Sequence, residues 1–277
     1  MHRLLTGPLT IETVTIPIQG LPRYLEGCRI VQLSDFHFDG KRLSLDLLKA
    51  VIYQVNTLNA DLIALTGDYV TTDAAPIFGL TPYLSQLKSR YGTVAALGNH
   101  DNLTVGGRLT ILRALEQAGI CPLWNRIATP LGDSFPVVGL ADWWSREFAP
   151  AKVMEQLPTR LPRLVLSHNP DTAEPLTQWR VDLQLSGHTH GGQIVLPILG
   201  RAPALAQTLR LSVLSKLPIP LPYFNRKCIK VVRHWEWASG LHRVGQNWLY
   251  VNRGLGTYAP GRFRCPPEVT LLQLVRS

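Results

Sequence analysis

The chain has 277 residues, 45% of them hydrophobic and 17% charged, with a formal net charge of +9. That is enough apolar material for one sizeable α/β domain, and too balanced a composition for a disordered chain. The positive sign favours an anionic partner, a class that includes nucleic acid, acidic lipid headgroups and small phosphorylated molecules. No uninterrupted apolar run reaches the roughly 18 residues of a membrane span. Pro8, Glu12 and Pro17 break any signal-peptide core. Cys28, Cys121, Cys228 and Cys265 are widely spaced and form no CxxC pair, so reduced thiols in a cytoplasmic protein are expected.

In chain order, Leu9 to Ile18 alternates like an edge strand. Arg29 to Ser34 is a short apolar run that leads into Asp35-Phe36-His37. Leu45, Leu48, Ile52 and Val55 then recur at helical spacing, with Ser44 placed as N-cap. Asp61 to Thr66 leads into Gly67-Asp68, and Tyr91 to Leu97 into Gly98-Asn99-His100-Asp101. Leu109, Leu112 and Leu115 repeat the helical pattern, with Gly119 at the C′ position. Pro162 to Ser167 leads into His168, and Val181 to Ser186 into Gly187-His188-Thr189-His190. Glu268 to Leu274 reads as a closing strand. Such strand–helix alternation predicts βαβ units and a mixed sheet covered on both faces. Ligands gather at the carboxyl ends of strands in sheets of this kind, so all five polar turns are expected on one rim.

Those turns carry Asp35, His37, Asp68, Asn99, His168, His188 and His190. Two adjacent divalent ions need roughly four ligands each from oxygens and imidazoles, and seven side chains suffice if one is shared. Asp68 is the natural bridge, because a carboxylate has two oxygens and this one stands alone on its turn. Taken singly, a D-x-H is as readily a surface pair, and an Asp after Gly a turn residue. The convergence carries the inference.

The ordered series D-x-H, G-D, G-N-H-D, H and G-H-x-H resembles the calcineurin-like metallophosphoesterases. Gly191-Gly192-Gln193, Asn252 to Gly256 and Arg262 to Glu268 resemble more particularly the branch of YkuE- and YaeI-type bacterial phosphodiesterases and chlamydial-type UDP-2,3-diacylglucosamine pyrophosphatases. The resemblance implies a four-layer α/β/β/α sandwich, with mixed sheets flanked by helices, over residues 1–277. It also implies that Asp35, His37, Asp68 and His190 hold a first ion, and Asp68, Asn99, His168 and His188 a second. Mn²⁺ is favoured, and Fe, Zn or Co suit the same donors. His100 would act on the leaving group as a catalytic residue, its ring steadied by Asp101.

Residues 194–234 depart from the pattern as an apolar insertion or flap. Ile194 to Phe224 is rich in Leu, Pro and Ala, and the basic cluster Arg226, Lys227, Lys230 and Arg233 follows. That order suits a peripheral contact with the inner face of the cell membrane. Trp143 and Trp144 fit a pocket wall or aromatic core, Arg253 a solvated loop, and His2, His234 and His242 the surface. The leading expectation is a hydrolase of a phosphodiester or pyrophosphate in an anionic substrate, with a lipid-linked one such as UDP-2,3-diacylglucosamine as the finer reading. A nuclease or cyclic-nucleotide phosphodiesterase is the alternative enzyme, disfavoured for nucleic acid by the lack of an aromatic-interleaved basic groove. A non-catalytic metal-binding scaffold is the other reading.

Overall fold

The structure, a computed structural model, describes residues 6–208 and 232–277. Two six-stranded mixed sheets lie face to face among them. The first runs in the order β1 (Thr10–Ile18), β14 (Glu268–Arg276), β2 (Arg29–Leu33), β3 (Leu62–Leu65), β4 (Thr93–Ala95) and β5 (Ile120–Pro122). The second runs β12 (Gly240–Val244), β13 (Asn247–Val251), β9 (Leu183–Ser186), β8 (Leu164–Leu166), β7 (Val137–Gly139) and β6 (Arg126–Ala128). Strands β2 to β5 are mutually parallel, as are β13, β9, β8 and β7. The four functional strands of a βαβ frame thus point their carboxyl ends one way within each sheet.

Period-two alternation divides each strand between two cores. Ile30, Leu62, Ala64 and Val94 face inward against Leu164, Leu166, Leu183 and Leu185 of the other sheet. Val31, Leu33, Ile63 and Leu65 face outward, onto helices α1 (Leu45–Thr57), α2 (Ile77–Leu84) and α3 (Gly107–Gln117). Val138 and Val165 meet the short helices α4 (Ala151–Met154) and α5 (Ala173–Leu176) on the far side. Layer by layer this is the expected α/β/β/α sandwich.

Local chemistry sets the element ends. The Ser44 hydroxyl accepts from the Leu47 N–H at 3.3 Å, capping α1 as its sequence predicts. Gly119 takes φ +76° just past the end of α3. The apolar stripe of α3 differs from expectation: Leu109 is exposed, and Ile111, Ala114 and Leu115 are the large buried contacts. Packing against α2 and β5 selects the neighbouring face of the same periodic pattern.

The segment after the histidine pair begins as a hairpin of β10 (Val195–Leu196) and β11 (Gly200–Arg201), followed by α6 (Ala202–Thr208). Ile198 and Leu199 at its tip are exposed. Residues 209–231, with most of the expected apolar excursion and Arg226, Lys227 and Lys230, lie outside the described residues, as does His2.

Candidate metal centre

Each expected ligand follows the carboxyl end of a strand: Asp35 and His37 after β2, Asp68 after β3, Asn99 after β4, His168 after β8, His188 and His190 after β9. The two sheets bring these ends to one rim. Three groups of donor atoms lie within 4.8 Å of one another: Asp35, His37 and His190; His37, Asp68 and His100; and Asp68, His168 and His188. Asp68 Oδ2 stands 3.1 Å from His168 Nε2 and 3.5 Å from His37 Nε2, between the outer two groups.

The imidazoles face nitrogen to nitrogen. His37 Nε2 is 3.1 Å from His190 Nε2, and His168 Nε2 is 3.3 Å from His188 Nδ1. Outer partners fix the tautomers: His190 Nδ1 donates to the Gly256 carbonyl at 3.2 Å, and His168 Nδ1 to that of Thr66 at 2.7 Å. Each leaves its Nε2 aimed at the centre, as metal-ligating histidines require. The Tyr258 hydroxyl lies 3.1 Å from His37 Nδ1. Asn99 Oδ1 is buried with no hydrogen-bond partner, an orphan acceptor that a cation would satisfy. Hard carboxylate and amide oxygens with four imidazoles make a donor set that fits two divalent transition-metal ions.

The backbone is bent to the same end. Asp35, His37, Asp68, His188 and His190 all have φ between +45° and +70°. Left-handed backbone at a non-glycine residue costs on the order of 1–3 kcal/mol and persists only where surroundings enforce it. Asp101 supplies one enforcement. Its Oδ2 accepts the backbone N–H groups of Asp68 at 2.8 Å and Gly98 at 2.9 Å, and its Oδ1 those of Tyr69 at 2.8 Å and Val70 at 3.3 Å. The expected pairing of Asp101 with the His100 ring is therefore corrected: His100 Nδ1 meets the Thr71 carbonyl at 2.5 Å instead. Adjacent residues in a single 3₁₀ turn point their side chains apart, so one cannot steady the other.

The C-terminal loop supplies a second enforcement. Gly256 donates its N–H to Asp35 O at 2.7 Å, and Leu255 to Ser34 O at 3.1 Å. A Cβ on Gly256 would lie 2.9 Å from Asp35 O and 3.0 Å from His37 Cβ, too close for any side chain. The buried guanidinium of Arg262 holds this loop. Its Nη2 donates to the carbonyls of Arg253, Gly254 and Gly256 at 2.9, 3.1 and 2.7 Å, and its Nη1 to Cys265 O at 3.2 Å. Arg253, expected in solvent, is tied instead to Glu12 and Glu268 at 2.7 and 2.9 Å.

Burial governs the charges. It pushes His37 down to about 3, so its imidazole is neutral, and Asp35 up to about 6, which still leaves a carboxylate near pH 7. Burial opposes a charged His168 as well, but the Asp68 carboxylate outweighs it and raises the imidazole to about 10.

Sequence reasoning passed over Tyr258, Arg262 and Asp142 as parts of this rim. Asp142 lies just past β7 on the same strand-then-acid plan as the other turns, and its Oδ1 is buried without a partner. The plan was readable there. Tyr258 and Arg262 act through contacts more than 200 residues distant, or through carbonyls, which no local pattern encodes.

The sequence matches the family model described as calcineurin-like phosphoesterase over residues 28–192. It is 34% identical over 253 residues to phosphodiesterase YaeI of Escherichia coli, covering 89% of this chain and 82% of that protein.

The chain belongs to the calcineurin-like phosphoesterase family.

This phosphoesterase is also 32% identical to the uncharacterized metallophosphoesterase YkuE of Bacillus subtilis, covering 96% of this chain and 86% of the relative. It is 30% identical to UDP-2,3-diacylglucosamine pyrophosphatase LpxG of Chlamydia trachomatis, covering 90% and 84% respectively. Membership makes it a hydrolase of phosphoric esters or anhydrides, and divalent metals belong to that chemistry. No helix among the described residues is long and apolar enough to cross a membrane.

Proposed function

We propose that this phosphoesterase hydrolyses a phosphodiester or pyrophosphate bond, and that Asp35, His37, Asp68 and His190 hold one divalent cation while Asp68, Asn99, His168 and His188 hold the other. Mn²⁺ is the favoured ion. The observation that carries the reading is the convergence of imidazole nitrogens and two carboxylates on one small volume, and Asn99, on the turn of His100, adds a buried Oδ1 without a partner. A pair of divalent cations supplies a nucleophile from water near neutral pH and offsets charge on the phosphoryl oxygens.

The chain's own groups do the rest. The placement of Asp68 Oδ2 between His37 and His168 suits a shared ligand. The carbonyls of Thr66 and Gly256 keep the ring protons of His168 and His190 on the outer side. With its Nδ1–H donated to the Thr71 carbonyl, His100 in its protonated, imidazolium form presents an Nε2–H that can pass to the leaving oxygen or steady its charge. His100→Ala is accordingly expected to keep its bound metal and to lose roughly 10²–10⁴-fold in turnover.

A lipid-linked pyrophosphate such as UDP-2,3-diacylglucosamine is the finer proposal. Similarity to the chlamydial pyrophosphatase supports it, as does the exposed apolar tip Ile198-Leu199, reached directly from the His190 turn. A flap over residues 194–234 and peripheral contact with a membrane belong to the same proposal. The test offers Mn²⁺-loaded protein bis-p-nitrophenyl phosphate, p-nitrophenyl phosphate, single-stranded DNA and UDP-2,3-diacylglucosamine. Turnover of the sugar lipid above all others supports the finer reading, and turnover of DNA alone replaces it with a nuclease. Inertness toward every ester, with two metals bound, defeats the enzyme reading.

A further inference from the structure

The turn after β7 contributes nothing to the ligand set, yet it leans on it. The Trp144 ring meets the His188 ring at 5.0 Å between centroids and 74° between planes. In an edge-to-face contact His188 covers at most one face of the indole, and Trp144 remains 48% exposed. Its neighbour Trp143 behaves differently, packing edge-on against Phe148 at 5.0 Å as part of the covering layer of the second sheet. One tryptophan of the pair is half-buried against Phe148, and the other stands beside the centre with surface to spare.

The turn is anchored by a buried carboxyl. Asp142 is 4% exposed, and burial raises its carboxyl to about 6 against the backbone N–H groups of Trp144 and Trp143, which favour the charged form. Its Oδ1 is buried without a partner, so this carboxylate faces the protein interior and leaves the exposed surface of the turn to Trp144. A partly exposed indole in contact with an expected metal ligand, next to a phosphate-handling centre, is placed for a nucleobase or similar flat group to stack on. Single-stranded nucleic-acid proteins and nucleotide sites use tryptophan faces in this way, because stacking is strong for any base.

We infer that Trp144 is a specificity-determining platform on which a planar group, a nucleobase attached to the scissile phosphate, stacks. The substrate class is then a nucleoside mono- or diphosphate ester, not a simple alkyl phosphodiester. This inference rests on the phosphoesterase reading above and deepens it.

Calorimetric titration of the Mn²⁺-loaded protein with uridine 5′-monophosphate and with inorganic phosphate tests it. The readout is the ratio of the two affinities, which cancels any general change at the centre. The nucleotide is expected to bind at least about fivefold more tightly than phosphate. Trp144→Ala is expected to remove that advantage, and Trp144→Phe, which keeps an aromatic face, to retain most of it. The inference is overturned if uridine adds no affinity in the wild-type protein, or if its advantage survives in Trp144→Ala. It is equally overturned if both affinities fall together in Trp144→Ala, since Trp144 would then merely prop His188. Failure of the phosphoesterase reading shows separately, as absence of bis-p-nitrophenyl phosphate turnover by the same preparation.

Discussion

Arg262 offers the sharpest test of how the centre is held together, because the hydrogen bonds described for it go to the loop and not to the expected ligands. Its side chain donates to the Arg253, Gly254, Gly256 and Cys265 carbonyls and, through Nε at 3.1 Å, to Thr257 Oγ1. Hydrogen bonds from a charged donor contribute about 1.5–3 kcal/mol each, but five do not add, because burying the guanidinium is itself costly. Gly254 O and Gly256 O have other donors, Glu268 N–H and His190 Nδ1, whereas Arg253 O and Cys265 O would lose the bonds described here. Arg262→Met should therefore cost about 3–5 kcal/mol, the range for breaking a buried charged network. For a chain of this size that lowers the melting temperature by about 10 °C. The loop it frees is the one packed on Asp35 and His37, so metal content after Mn²⁺ reconstitution should fall as well. Arg262→Lys, with one compact ammonium in place of a planar fork, should fall between the two. Thermal unfolding followed by circular dichroism, with elemental analysis of the same samples, measures both effects. A melting temperature within about 2 °C of wild type and full metal content would refute the reasoning.

Asp101→Asn replaces an acceptor-only carboxylate, which serves four backbone N–H groups, with an amide that must turn donors toward some of them. Urea unfolding should show a loss of about 2–4 kcal/mol, and an unchanged midpoint would remove Asp101 from its structural role. Gly187→Ala places a Cβ against Ser34 Oγ and Asp35 Oδ2, so it should lower Mn²⁺ affinity by an order of magnitude or more with little change in circular dichroism. For pH, His168 holds its proton up to about 10 in the folded chain against an ordinary 6.5, so its contribution is complete below about 6.5 and lost as pH rises to about 10. Chelator-treated protein should accordingly lose stability to urea between pH 6.5 and 10, and a flat or rising profile across that window would contradict the assignment.

The metal rim was legible because its signals are local. A short apolar run followed by Asp, Asn or His states both a strand and what stands at its end, and sheet topology then gathers the ends. The Ser44 cap and the alternation of Leu9 to Ile18 were readable for the same reason, and β1 is indeed an edge strand. Three things were less so. The face of α3 depended on which neighbour it packs against, and Leu109 lost to Ile111. The role of Asp101 was misjudged because sequence adjacency to His100 suggested contact, whereas its carboxylate reaches across to the Asp68 turn. Arg262 was noticed within a family-like tail, but nothing near it in sequence announces that it clasps carbonyls of residues 253 to 256.

These corrections share a cause. The groups that bind are announced by their chemistry, whereas the groups that hold them are defined only by where the chain returns. Five expected ligands sit in left-handed backbone, each at a cost of roughly 1–3 kcal/mol. Two imidazole pairs meet nitrogen to nitrogen at 3.1 and 3.3 Å. The strained backbone is not favourable on its own terms. Asp101 fixes the Asp68 turn from below, and Arg262, through Gly256, fixes Asp35, His37 and His190 from the side. A cation held by these imidazoles and carboxylates would supply the attraction that offsets the strained backbone. Binding should then raise stability by RT ln(1 + [M]/Kd), about 2.7 kcal/mol at a hundredfold excess over Kd. Because the strain lies in the ligands and the restraint outside them, weakening the restraint should make folding depend more steeply on metal. The Mn²⁺-induced rise in melting temperature should be larger in Arg262→Lys than in wild type, so long as the variant still binds the ion. An equal or smaller rise would mean that the loop and the centre are energetically separate.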